Sequence, residues 1–320
     1  MIAILEQGLL LALAAMGVYI SFRLVDLPDL TPDGSYIVGG AVAVVLLRSG
    51  HGWVSATLLA ALAAGAAGFI TALISTRFRI HTLLASIMVM TGLYSVAIRV
   101  MNAPNLPIPR FSTEKILSYE QVVGKTPLDD ILGGIGNLQY ESQGMKAVTV
   151  PFNNKADGHD LILIASLLLF ISFLFWLFLR TELGTMLRGY GRNRFAVKVL
   201  GVNPNLFALM GLTVANFLVG LSGALFSMYS GFADVNMGTG MVVVCLASVI
   251  LGEIIFGSRE VAYGLFFPIV GAVVYQILLT LAMKYGYRIG FKPSDMKLLT
   301  AMFVVSVIAA RRLKKSEVTV

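Results

Sequence analysis

Apolar residues run in long blocks near 4–25, 53–75, 80–101, 160–180, 205–230, 237–257, 261–283 and 295–311. Each is close to the ~20 residues that an α-helix needs to cross ~30 Å of hydrocarbon. A shorter run, 35–48, is too brief for a comfortable span and predicts a half-helix or a re-entrant piece. The pattern predicts an all-α fold: a polytopic transmembrane helical bundle over 1–320, with about 8–10 membrane helices counting short extra pieces. Composition agrees. Hydrophobic residues make up 57% and charged residues 13%, against roughly 25% charged in a soluble domain, and mean hydropathy is +0.84. The block from Met1 to Val25 lacks a basic leading region and is longer than the apolar core of a secretory signal, so it reads as the first membrane helix.

Charge sets the expected orientation. Lys and Arg concentrate in the loop at 180–198, at Arg77-Phe-Arg79 and in the tail at Arg311, Arg312, Lys314 and Lys315. Two blocks separate the first pair of these signals in chain order and four separate the next. All three therefore fit one face, which the positive-inside bias makes cytoplasmic, C-terminus included. Lys284, Arg288 and Lys292 fall on the other face and break the pattern. The N-terminus is expected outside if 35–48 crosses and inside if it does not. The polar stretch 102–158, rich in Gly, Pro and Asn and nearly balanced in charge, is expected as a long extracytoplasmic loop. A formal net charge of +7 spread over segment ends and loops suits lipid headgroups rather than nucleic acid.

Little in the chain carries chemistry of its own. Gly124-Lys125-Thr126 lacks the earlier glycine of a phosphate-binding loop, since position 119 is Tyr. No His/Cys set has metal-ligand spacing, and no metal is expected. His51, His81 and His159 stand alone near segment ends, and Cys245 suits a small buried hydrophobe. The segment from Asp26 to Tyr36 puts Asp26, Asp29 and Asp33 beside Pro28, Pro32 and Gly34, which cannot continue a lipid-facing helix. It is either a broken helix lining a path, with Ser35 opening a short helix, or an ordinary interfacial turn. Asp29, Thr31, Asp33 and Ser35 are candidate path residues, joined by Thr91, Tyr94 and the central Asn216. Arg99 and Glu253 lie near block ends, where snorkelling suffices. Ala60, Ala64 and Gly68, with Ala61 and Gly65 beside them, and Gly220 with Ser222 and Gly223, suit close helix packing.

The basic loop is the most structured polar segment. Asn193 suits a helix N-cap. Phe195, Ala196, Val199 and Leu200 then form one apolar stripe, and Gly201 suits a left-handed C-terminal position. Arg188, Arg192, Arg194 and Lys198 surround that short amphipathic helix. It could lie flat on headgroups or fill a groove in a partner.

Thr181-Glu-Leu-Gly184, Leu187-Arg188, Gly191, Asn193, Ala196, Leu200-Gly-Val-Asn203 and Ser222-Gly-Ala224 resemble the cytoplasmic loop of ABC-importer permeases of the branched-chain amino acid and ribose type. Asp29-Leu-Thr-Pro-Asp-Gly34 with Gly39-Gly-Ala41 is similar to their broken second helix. Leu83-Leu-Ala-Ser-Ile87, Tyr94-Ser95, Arg99-Val-Met101, Asn105-Leu106, Asp295-Met-Lys-Leu-Leu299 and Arg311-Arg312 resemble a single-permease subgroup importing amino acids, aromatic ones among them. Gly189 stands where the family commonly has Ala, and Arg192 where a small or acidic residue is usual. The resemblance implies a permease subunit in a bacterial inner membrane, paired with a second copy. It would sit on two ATP-binding subunits and receive solute from an extracytoplasmic binding protein. The 181–203 loop would then be the coupling-helix loop, Lys284, Arg288 and Lys292 candidates for meeting the binding protein, and ATP with Mg a cofactor of the partner ATPase rather than of this chain. The alternative, a secondary transporter driven by an ion gradient, predicts midplane acids and inverted repeats.

Overall fold

The computed structural model describes residues 2–108, 150–152, 159–256, 266–286, 298, 300–302 and 305–306. Most of the 102–158 loop, with Gly124-Lys125-Thr126, lies outside them, as do Arg288, Lys292 and the basic tail. The described chain is a helical bundle with six helices long and apolar enough to cross a membrane. They are α1 (Ile2–Tyr19, extended by a π-helical turn Ile20–Leu24), α3 (Trp53–Phe78), α4 (Thr82–Met101), α5 (His159–Arg180), α8 (Pro204–Ser230) and α10 (Phe266–Gly286). Between them stand α2 (Thr31–Arg48), α6 (Glu182–Arg192), α7 (Arg194–Val199) and α9 (Met241–Phe256). Leu298, Thr300 to Met302, Val305 and Ser306 are also helical, inside the last apolar block. This is a multi-pass membrane protein.

The run 35–48 forms most of a longer helix. It belongs to α2, which begins at Thr31 rather than Ser35 and has 18 residues, about 27 Å at 1.5 Å per residue. Pro32 sits at its first turn, where a missing N–H costs nothing. The helix is buried along almost its whole length, including Tyr36 to Ala41, and packs between α3, α4 and α8. The break in the chain lies before it, at Val25–Leu30, and α2 is continuous through Gly39 and Gly40.

Small residues let these helices touch. A Cβ at Gly39 would collide with the backbone of Gly220, and one at Gly68 with the carbonyl of Leu212. The Ala60–Gly68 stripe of α3 thus meets the Gly220 region of α8, as its spacing predicts. The outer faces of α3, α4 and α5 carry exposed apolar residues, including Leu62, Phe69, Met88, Phe170 and Phe173.

Side-chain pairs fix which ends lie together. Arg23, in the π-helical turn after α1, meets Glu253 near the end of α9 at 2.6 Å. Arg194 of α7 reaches the same end of the bundle, donating to the carbonyl of Asp26 at 3.0 Å. At the opposite end the Tyr229 hydroxyl donates to Glu6 at 2.8 Å, and the Gln276 amide to Gln7 at 2.8 Å. The chain therefore starts at the end opposite the basic loop. Strands β1 (Asn105–Pro107) and β2 (Phe232–Asp234) pair antiparallel at that opposite end, where α8 finishes.

Candidate functional site

Two sites emerge, one in the middle of the bundle and one at its basic end. In the middle, the backbone leaves helical geometry at Val25–Leu30 and must bond elsewhere. Val25 N–H returns to the Ile20 carbonyl and Leu27 N–H to the Ser21 carbonyl, both at 2.9 Å. Asp26 takes a left-handed φ of 54°, which Asp tolerates better than most residues. Asp29 is fully buried. Its Oδ1 accepts from Thr31 N–H at 2.9 Å and its Oδ2 from the Asn216 side chain at 2.8 Å. Ser35 donates to Asn216 Oδ1 at 2.7 Å, and the hydroxyls of Thr31 and Thr71 lie 2.7 Å apart. The segment is thus no interfacial turn.

Asp33, one turn on, is half-buried and faces another way. Its carboxylate accepts from Gly240 N–H at 3.0 Å and Val242 N–H at 2.7 Å. It caps the N-terminus of α9, where free N–H groups and the helix dipole favour negative charge. Asp33, Thr91 and Tyr94, three of the seven path candidates, border a hollow of about 220 Å³ between α2, α4 and the turn before α9. The other four, Asp29, Thr31, Ser35 and Asn216, are buried and bonded among themselves. Thr239 and Met90 join the hollow without any signal in the sequence. Arg99 is exposed, while Glu253 is paired with Arg23 rather than free to snorkel.

At the basic end, Thr181 accepts from Gly184 N–H and starts α6. Arg188 turns inward, donating to the Leu179 carbonyl at 2.9 Å at the end of α5. A Cβ at Gly191 would collide with the Leu24 carbonyl, so α6 lies directly against the π-helical turn. Asn193 accepts from Phe195 N–H at 3.0 Å, making it the cap expected for α7. Gly201 has φ +79°, the left-handed conformation expected after that helix. The Arg194 guanidinium also lies 5.3 Å over the Tyr190 ring. Burial pushes the Tyr190 phenol above its ordinary pKa while Arg194 pulls it back, so it stays neutral at pH 7. Phe195, Val199 and Leu200 are 73%, 69% and 64% exposed, and Arg192 and Lys198 are exposed beside them.

Beside α7 a cavity of about 720 Å³ opens among the ends of α3, α4 and α8. Arg79, His81, Ser75, Thr76, Asn205 and Arg194 give it a polar wall. Lys284 is exposed at the opposite end, beyond Gln276 on α10. Among the described residues, no group of three or more His, Cys, Asp or Glu could hold a metal ion, and Cys245 is buried.

Residues 1–308 match the family model described as branched-chain amino acid transport system / permease component. The chain is 32% identical over 315 residues to the tyrosine transport system permease protein of Clostridioides difficile (strain R20291), covering 98% of this chain and 92% of that protein. It is 29% identical over 317 residues to the uncharacterized protein RP368 of Rickettsia prowazekii (strain Madrid E), covering 98% of each. No solved structure matches. A buried polar break, glycine-mediated helix contacts and a capped basic helix are thus features of a transport subunit, and the chain belongs to the branched-chain amino acid transport system permease component family.

Proposed function

We propose that the chain is the membrane-spanning subunit of an ATP-driven importer for a small solute of the amino acid class. Two copies would form the path, on two ATP-binding subunits in a bacterial inner membrane, with an extracytoplasmic binding protein delivering solute. The basic end would face the cytoplasm, with the C-terminus, and Lys284, Arg288 and Lys292 would face the binding protein. In this reading Arg188 to Gly201 form the docking loop, and Phe195, Val199 and Leu200 are the surface that enters the ATPase; the side chain of Ala196, expected with them, lies outside the described residues. ATP and Mg act on that partner. The cavity beside Arg79 and Arg194 would be the cytoplasmic mouth of the path.

The observation that carries this reading is the exposure of Phe195 and Val199 on α7, a helix bonded to the bundle through Arg194, and of Leu200 just after it. Three bulky apolar side chains held in water on a braced helix are a knob waiting for a groove. The ion-driven alternative draws less support, because Asp29 is sealed by Thr31 and Asn216. An amino acid substrate is favoured by the relative whose name specifies tyrosine transport. The test is Phe195→Asp in the assembled transporter. It should abolish ATP-dependent uptake while the chain still inserts and folds. Normal uptake would remove the docking role.

A further inference from the structure

The hollow beside Asp33 unites several polar residues with an acidic side chain. It is about 220 Å³, smaller than the ~300–1,000 Å³ of drug-sized pockets. Its scale is that of a single amino acid. Among the described residues that border it, Asp33 alone is charged. Thr91, Thr239 and Tyr94 supply hydroxyls, and Ile37 and Met90 supply an apolar wall.

The electrostatics of the hollow are lopsided. The N-terminus of α9 brings roughly half a positive charge to Asp33, against one full negative charge. A carboxylate has about four acceptor sites, and the backbone N–H groups of Gly240, Met241 and Val242 leave room for one more donor. Among the described residues, no Arg or Lys borders the hollow to supply it. Placing such a group against lipid would cost about 2.5–3.5 kcal/mol on insertion scales. The hollow is therefore suited to face protein and water. The α4 residues at its rim, Thr91 and Tyr94, are exposed in the single chain, so the hollow opens on that face of the bundle.

We propose that this hollow is a solute subsite in which the Asp33 carboxylate accepts the ammonium group of a zwitterionic amino acid, with Ile37 and Met90 against its side chain. The assignment rests on the transport reading and adds to it a recognised group. It makes the free amine, not the carboxylate, the feature this subunit reads. N-acetylated amino acids are disfavoured in the subsite because acetylation removes the positive charge and leaves a single amide N–H in place of three ammonium donors.

The test uses the full chain in membrane vesicles with Thr91→Cys as a reporter at the rim. The native Cys245 is buried and stays unlabelled. Labelling of the new thiol by a charged thiosulfonate reagent should slow several-fold with millimolar tyrosine, and not with N-acetyltyrosine. Adding Asp33→Asn should abolish that protection. Because this change also touches the cap of α9, Tyr94→Cys serves as a second reporter with Asp33 intact, and it should show the same selectivity for the free amine. Equal protection by both ligands, or by neither at either reporter, would overturn the subsite. The transport reading is tested separately by Phe195→Asp, so an uncoupled Phe195 variant with an unprotected rim would leave that reading standing and remove the subsite alone.

Discussion

Asn216 shows how one side chain can decide a membrane fold. Its amide donates to Asp29 and to the Leu212 carbonyl, and its carbonyl accepts from Ser35. Removing it leaves a buried carboxyl with only its Thr31 partner. Asn216→Ala should cost about 1–3 kcal/mol or more, because an unsatisfied buried charged group loses its solvation without compensation. Ser35→Ala removes one neutral bond and should cost only about 0.5–1.5 kcal/mol. The order of the two thermal unfolding midpoints in detergent, at one scan rate, checks this; an Asn216 variant as stable as the Ser35 variant would mean that Asp29 finds another partner. Of this cluster, the sequence offered the residue types and the central position of Asn216. It could not offer the pairing with Asp29, which spans 187 positions and exists only once α8 lies beside the break.

Among the elements, two glycines make opposite demands. Gly39 has no space for a Cβ against Gly220, whereas the nearest atom to one at Gly189 is Val197 Cγ2 at 4.0 Å. Gly39→Ala should therefore force α2 and α8 apart and reduce the yield of folded chain. Gly189→Ala should stabilise α6 by up to about 1 kcal/mol through its lower conformational entropy cost. Fluorescence-detected size exclusion after mild heating separates the two outcomes. Helix by helix, the long apolar blocks were legible because hydrophobic length alone identifies them. α2 was not, because its first turn is Thr-Pro-Asp-Gly and its polar residues dilute the run. Pro32 followed by Asp33 was the available signal, since proline and an acid both favour a helix's first turn. The cap on α7 was legible from Asn193 and Gly201, whose demands are local. The cap that Asp33 gives α9 was not, since the two meet across 207 and 209 positions.

For the whole molecule, the basic helix is an extension of the bundle rather than a loose appendage. Gly191 presses on Leu24 and Arg194 holds Asp26. Arg194→Ala should leave the apolar knob in place while loosening its brace. The expected outcome is an assembled transporter that still hydrolyses ATP but moves less solute per ATP, read from parallel uptake and phosphate-release measurements. An unchanged ratio would mean that the brace carries no force. Hydropathy alone predicted a membrane bundle, and the basic loop predicted which end is busy. The join between the two was hidden, because Arg194 bonds to a backbone carbonyl, which no side-chain pattern announces.

Only Leu27 and Pro28 separate the carbonyl gripped by Arg194 from the aspartate clamped by Asn216, and the proline ring removes much of the slack. The linker has the form of a crank, with one arm at the basic end of the bundle and the other at the foot of α2. On the proposed reading, a tilt of α7 would turn that foot and Asp33 would carry α9 along with it, so a motor docked at the surface would be geared to a buried helix.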